Sequence, residues 1–132
     1  MLNTLPNQNP YAAYKQSAVE TVTPDKLLVM LFNGGIKFLH KAEAAFEERD
    51  FAKVDLYLGK VQDILTELMT TLDMDKGGQI SVNLYQLYDF YRREVIATNT
   101  KKDSAMLQPI LEFFETFRDT WVEAAKRARM GV

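Results

Sequence analysis

Two stretches of the chain repeat apolar residues at alternating steps of three and four: Phe51, Val54, Leu58, Val61, Leu65, Leu68, Leu72, and then Leu107, Ile110, Phe114, Phe117, Trp121, Ala124, Ala128. That spacing holds one stripe of an α-helix toward a partner at about 3.5 residues per turn. Upstream, Thr23, Pro24 and Asp25 combine a capping hydroxyl, a proline that needs no donor and a carboxylate near the positive end of the helix dipole. A helix is therefore predicted from Pro24 to about Glu48, with Leu27, Leu31, Phe38, Leu39, Ala42 and Phe46 on its core stripe and Gly34 and Gly35 on or beside it. Each glycine costs about 1 kcal/mol against alanine in a helix, so close approach of a neighbour is expected there.

Asp50 is placed to cap the next helix, which ends before Asp73 to Gly78. Another begins near Ile80 and turns Leu84, Leu87, Tyr88, Tyr91 and Val95 inward, until the polar run Thr98 to Ser104 breaks the pattern. The last runs from about Ser104 to Arg129. Corners this short make consecutive helices antiparallel neighbours. The expected fold is all-α: an antiparallel up-down four-helix bundle over residues 23–130 as a single domain. An N-terminal arm, residues 1–22, precedes it, and in that arm Asn9 and Pro10 could start a short capping helix over Tyr11 to Ala18.

Several apolar residues fall off these stripes. An eleven-residue step is close to three whole turns, so Tyr85 and Ile96 share one line on the third helix, as Leu111 and Val122 do on the fourth. Val29 and Ile36 are assigned to the outer face of the first helix with Phe32 nearby, and Leu56 and Phe90 point away from their stripes. An exposed apolar patch usually marks a partner. The candidate binding residues are therefore Val29, Phe32, Ile36, Leu56, Tyr85, Phe90, Ile96, Leu111 and Val122, with scattered exposure or dimerisation of the bundle as the alternatives. Tyr11, Tyr14 and Val19 are spaced to set apolar groups of the arm against the bundle, as a gate over part of that surface.

Composition narrows the chemistry. At 132 residues and 47% hydrophobic content the chain suits one core, and a net charge of −2 gives no global positive field for nucleic acid or an acidic membrane. No apolar run approaches the ~18 residues of a membrane span, and Met1 to Pro10 is polar and proline-interrupted, unlike a signal peptide, so a cytoplasmic location is expected. There is no cysteine. The single histidine, His40, lies on the polar side of its helix and is read as solvated, and with Lys37 three residues before it the chain cannot supply the two Glu-x-x-His pairs of a di-iron bundle. Gly77-Gly78 lacks the lysine and hydroxyl of a phosphate loop. Glu43, Glu47 and Glu48 read as a solvated helix-end cluster, and Lys126, Arg127 and Arg129 as complements to a helix C-terminus. No metal, cofactor or catalytic residue is expected, and the chain is read as a non-enzyme.

Local patterns then converge. Tyr11, Thr23-Pro24 with Leu27-Leu28, and Met30-Leu31-Phe32-Asn33-Gly34 resemble the opening of the flagellin export chaperones, the FliS family. Gly77-Gly78-Gln79-Ile80 with Asn83-Leu84 and Leu87-Tyr88 is similar to that family's turn into its third helix, and Ala97, Asn99 and Trp121 fit the remaining pattern. The resemblance covers essentially the whole chain in order. Departures are small: Asn33 stands where the family often has Asp, Gln79 where it has Glu, and Ser81 where it has Ala. Loss of the Asp could alter a local hydrogen bond or a charge contact with the client. The resemblance implies a cytosolic export chaperone that binds the disordered C-terminal segment of flagellin, prevents premature polymerisation and presents the client to the export gate of the flagellar type III apparatus. The same outer surface allows a homodimer when the client is absent, and a generic four-helix adaptor for another partner is the alternative reading.

Overall fold

Residues 23–131 are described by the structure, a computed structural model. The expected arm residues Tyr11, Tyr14 and Val19 lie outside them. Four helices follow in order: α1 (Pro24–Glu47), α2 (Phe51–Thr70), α3 (Met74–Lys101) and α4 (Leu107–Arg129), the last preceded by a 3-10 turn at Ser104–Met106. Side-chain pairs fix their directions. Asp25 meets Arg129 and Asn33 meets Arg118, so α1 and α4 run antiparallel. The Phe46–Phe51 and Phe38–Tyr57 ring contacts do the same for α1 and α2, and Asp55 with Lys102 ties the start of α2 to the end of α3. The all-α bundle read from the sequence is the fold, with α1 packed between α2 and α4, α3 against α2, and α3 and α4 meeting over only a limited stretch.

Local chemistry sets the helix ends. Asp50 caps α2 as expected, its carboxylate accepting the Lys53 N–H at 3.2 Å. At α1, Pro24 occupies the first turn, but the Thr23 side chain makes no cap hydrogen bond; only its carbonyl serves the helix, accepting from Leu27 N at 3.0 Å. The expected capping hydroxyl is thus corrected. Thr23 turns instead to the Asp25 carboxyl, and that hydrogen bond is the main cause holding Asp25 below the usual carboxylate range. α3 starts earlier than the sequence predicts, because Asp73 accepts from Asp75 N and Lys76 N at 3.0 and 2.9 Å and winds a first turn. Gly78 then breaks the helix at φ 53°, ψ −130°, and the long second segment begins beyond it. The same helix ends later than predicted. Thr98 is fully buried, its hydroxyl donates to the Glu94 carbonyl at 2.7 Å, and winding continues to Lys101.

The core is continuous through all four helices, with Tyr88 and Val95 as the part that α3 contributes. Leu31, Leu39, Val54, Leu58, Val61, Leu65, Leu68 and Ile110 are buried as their stripes require, and Ile64 joins them from beside the stripe. Stripe ends that outrun their neighbours are exposed: Phe51 at one end of α2, Ala124 and Ala128 at the end of α4. Gly35 is buried, and a Cβ there would fall on the Phe114 ring, which is the close approach its sequence position suggests.

Candidate functional site

The face of α3 carries too many apolar residues for its buried stripe. Ser81, Tyr88 and Val95, each seven residues apart, form the buried line. At 100° per residue, Tyr85, Ile96 and Val82 sit about 60 to 120° round from Tyr88, and Ile80 about 80° the other way. All four are exposed, Ile80 the most at 71%. Phe90 stands on the back of the helix, exposed, with its ring edge-on to Tyr91 at 5.0 Å. Leu56 is exposed on α2. Of the residues singled out from sequence, Leu56, Tyr85, Phe90 and Ile96 thus present apolar surface on the α2–α3 half of the bundle.

Val29 and Val122 come together elsewhere. They line a pocket of about 350 Å³ between the start of α1 and the end of α4, with Met30 and Ala125 completing an apolar wall and Lys26 and Arg129 on its rim. Arg129 Nη1 is held 3.6 Å from Asp25 Oδ2 across the mouth. The arrangement suits an apolar side chain flanked by acidic or carbonyl groups.

Three expected surface residues are in the core. Phe32 is fully buried at the centre of an aromatic cluster, its ring centroid 6.3 Å from Tyr88, 6.1 Å from Phe113, 5.6 Å from Phe114 and 6.2 Å from Phe117. Ile36 and Leu111 are buried as well. The cause is the place of α1 between two neighbours: its buried arc covers the side turned to α2 and the side turned to α4, wider than the single stripe that a heptad spacing describes. Leu111 lies on the side of α4 turned to α1, the side from which Arg118 and Arg129 also reach that helix.

The aromatic cluster continues into the α3–α4 seam, where Tyr91 stacks on Phe113 with centroids 4.0 Å apart. Burial pushes the Tyr88 phenol up to about 12, a rise the nearby Trp121 indole counters slightly. Neither Tyr88 Oη nor Trp121 Nε1 completes a well-formed hydrogen bond, although both are buried. His40 is exposed, with Nδ1 2.8 Å from Glu43 Oε1. Among the described residues, no group of three or more His, Cys, Asp or Glu side chains is placed to hold a metal ion, and no helix is long and apolar enough to cross a membrane.

A small antiparallel helical bundle with surplus outward apolar surface is the class this geometry defines. The chain belongs to the FliS family: the family model described as flagellar protein FliS matches residues 7–128. It is 37% identical to the flagellar secretion chaperone FliS of Bacillus subtilis (strain 168), over 92% of this chain and 90% of that one. Identity to the flagellar secretion chaperone FliS of Vibrio cholerae is 34%, over 83% of each chain, and to that of Salmonella typhimurium 29%, over 86% of this chain and 84% of that one.

Stripe reasoning missed Val82, exposed on the side of Tyr85, Ile80, exposed on the other side of Tyr88, and the pocket that joins Val29 to Val122. Ile80 lies two residues beyond Gly78, and that glycine is the available signal that the residue stands where the helix restarts.

Proposed function

We propose that the protein is a cytosolic export chaperone for flagellin. It holds the disordered C-terminal segment of its client on the outward apolar surface of the bundle, prevents premature polymerisation and hands the complex to the gate of the flagellar type III export apparatus. Membership of the FliS family, whose relatives carry the name flagellar secretion chaperone, supports a flagellar client and an export role. The single structural observation that supports a holding role is the apolar surface of Leu56, Val82, Tyr85, Phe90 and Ile96 on a chain that needs none of it for its core.

The physics suits such a task. A segment that folds on binding can wrap a large surface while spending much of its gross interaction energy on ordering, so specificity comes without irreversible affinity. Client helices would lie in grooves of the bundle with anchors at i, i+3 and i+4. Val29 and Val122, with Lys26 and Arg129 at the rim, offer a further seat. The test is co-expression with flagellin followed by size exclusion. A one-to-one complex is expected, and removing the last ~40 residues of flagellin, a length that spans ~60 Å as helix, should abolish co-elution. Undiminished binding to the truncated client would sink the proposal and favour an adaptor for another partner.

A further inference from the structure

The seam between α3 and α4 is closed at one end and opens toward the other. Tyr91 of α3 stacks on Phe113 of α4 at 4.0 Å, and from that contact a row of side chains runs along the facing side of each helix in steps of three or four residues. On α4 the row passes from buried Phe113 through half-buried Phe117 and Trp121 to exposed Ala124. On α3 it passes from Tyr91 through half-buried Leu87 and Leu84 to Ile80, which is 71% exposed. Contact between the helices is limited, and toward the start of α3 the two rows flank a groove with apolar walls.

Two polar groups lie at its floor. The hydroxyl of fully buried Tyr88 and the indole N–H of Trp121 approach each other there. An indole N–H can only donate, and a phenol has one donor and two acceptor positions. If the indole turned to the phenol oxygen, the phenolic hydrogen would still need an acceptor, and among the described residues neither atom completes a hydrogen bond. Burial lifts the phenol to about 12, so it remains a donor at neutral pH. A buried donor in this position is destabilising, because its hydrogen bonds to water are lost and not replaced.

Surplus donors beneath apolar walls call for an occupant that brings an apolar side chain together with an unpaired carbonyl oxygen. The last turn of a helix has both, since its final four carbonyls have no intrahelical partner. We propose that the groove between the start of α3 and the end of α4 receives the last turn of a client helix, with an apolar side chain against Leu84 and Leu87 and a free carbonyl accepting from Tyr88 Oη and Trp121 Nε1. The inference rests on the flagellin reading and adds to it a seat and a chemical requirement. Docking spreads the open end of the seam, which the short α3–α4 contact permits.

The test uses the full chain, its Tyr88→Phe and Trp121→Phe variants and a tryptophan-free peptide of the flagellin C-terminal segment. Tyr88→Phe keeps the ring and removes the hydroxyl, so two opposite changes are expected. The melting temperature of the free protein should rise by roughly 2–5 °C, and affinity for the fluorescein-labelled peptide, followed by anisotropy, should fall about fivefold or more. Trp121→Phe should weaken binding as well. Trp121 is the only tryptophan of the chain, so its emission should shift when unlabelled peptide is added to the unaltered protein. Four results would each overturn the inference and leave the flagellin reading standing: equal affinity of the Tyr88→Phe variant, an unmoved tryptophan emission on binding, a lower melting temperature for Tyr88→Phe, the mark of a hydroxyl already satisfied in the free protein, or a dimer of the unaltered chain that Tyr88→Phe dissolves. Failure of the unaltered chain to bind the peptide at all would remove both.

Discussion

Single atoms decide several contacts in this bundle. The Phe114 ring occupies the space that a Cβ at Gly35 would need, whereas Gly59 on α2 has nothing within 4 Å of the same position. Gly35→Ala is therefore expected to destabilise the fold by about 1–3 kcal/mol through overpacking, and Gly59→Ala to stabilise it by about 0.5–1 kcal/mol through helix propensity; chemical denaturation of the pair reads both signs. Asn33 shows what its departure from the family pattern does locally: its Oδ1 accepts from Arg118 Nη1 at 3.3 Å, a neutral link where Asp would make an ion pair. The pair is exposed, so Asn33→Asp should change stability by at most about 1 kcal/mol, and any gain should shrink with added salt. Ile96 and Val122 are exposed and Leu65 is fully buried. Changing Ile96 or Val122 to Asp should weaken co-elution with flagellin and leave the melting temperature nearly intact, whereas Leu65→Ala should cost about 2–5 kcal/mol by opening a cavity. Unfolding of the Ile96 or Val122 variants would remove them from the proposed client surface.

Helices differ in how much of themselves the sequence discloses. α2 has one dominant buried stripe, so Val54, Leu58, Val61, Leu65 and Leu68 were legible from spacing alone, as were Leu107, Ile110 and Phe114 of α4, whereas Leu111 and Phe113, buried beside that stripe, were not. α1 was legible as a helix but not in its faces, because two flanking helices bury Phe32 and Ile36 as well as Leu31 and Leu39. α3 was the least legible at its ends. The polar string after Ala97 conceals Thr98, whose hydroxyl is satisfied by its own helix and so can be buried without loss. Beyond it, Lys102 takes a left-handed φ of 50° and spreads its ammonium over Asp55 Oδ1 at 2.7 Å, Asn99 Oδ1 at 2.8 Å and the Asn99 carbonyl at 2.9 Å. No periodicity encodes that contact, which joins residues far apart in sequence. The Lys102 hydrogen bond is the first cause holding Asp55 below its ordinary 3.8. A carboxyl depressed in the folded state contributes stability that is present above 3.8 and disappears as pH falls through the folded value. Asp55→Asn should thus lower the melting temperature modestly at neutral pH, with the gap to the unaltered chain narrowing once pH drops below 3.8. A gap that is unchanged across that window would show that the charge of Asp55 does not act.

Across the whole molecule, packing is uneven in a way that matters for holding a client. α1 is clasped on both sides, while α3 is packed against α2 and meets α4 chiefly through Tyr88 and Tyr91 on Phe113. α2 likewise has two close neighbours, and the helix with the most exposed apolar surface is one of the two, α3 and α4, that meet each other over only a limited stretch. Such an element can adjust to a partner without the core giving way. The spacing of Tyr11, Tyr14 and Val19 in the N-terminal arm suits apolar contact with the bundle, and we propose that the arm bears on this same surface. Burying side chains of this kind gains about 1.5–3 kcal/mol each, while ordering the backbone between them costs about 1–2 kcal/mol per residue, so any docking of the arm is at best marginal. A client that buries more apolar area should displace it, and on this proposal the arm is a weak competitor within the same chain. Deleting residues 1–19 is then expected to tighten binding of a flagellin C-terminal peptide several-fold, because the competitor is removed. In the full chain, hydrogen exchange over Tyr11 to Val19 should quicken when that peptide is added. Equal protection with and without the peptide, together with unchanged affinity after the deletion, would reduce the arm to a fixed cap and leave the affinity to the bundle alone.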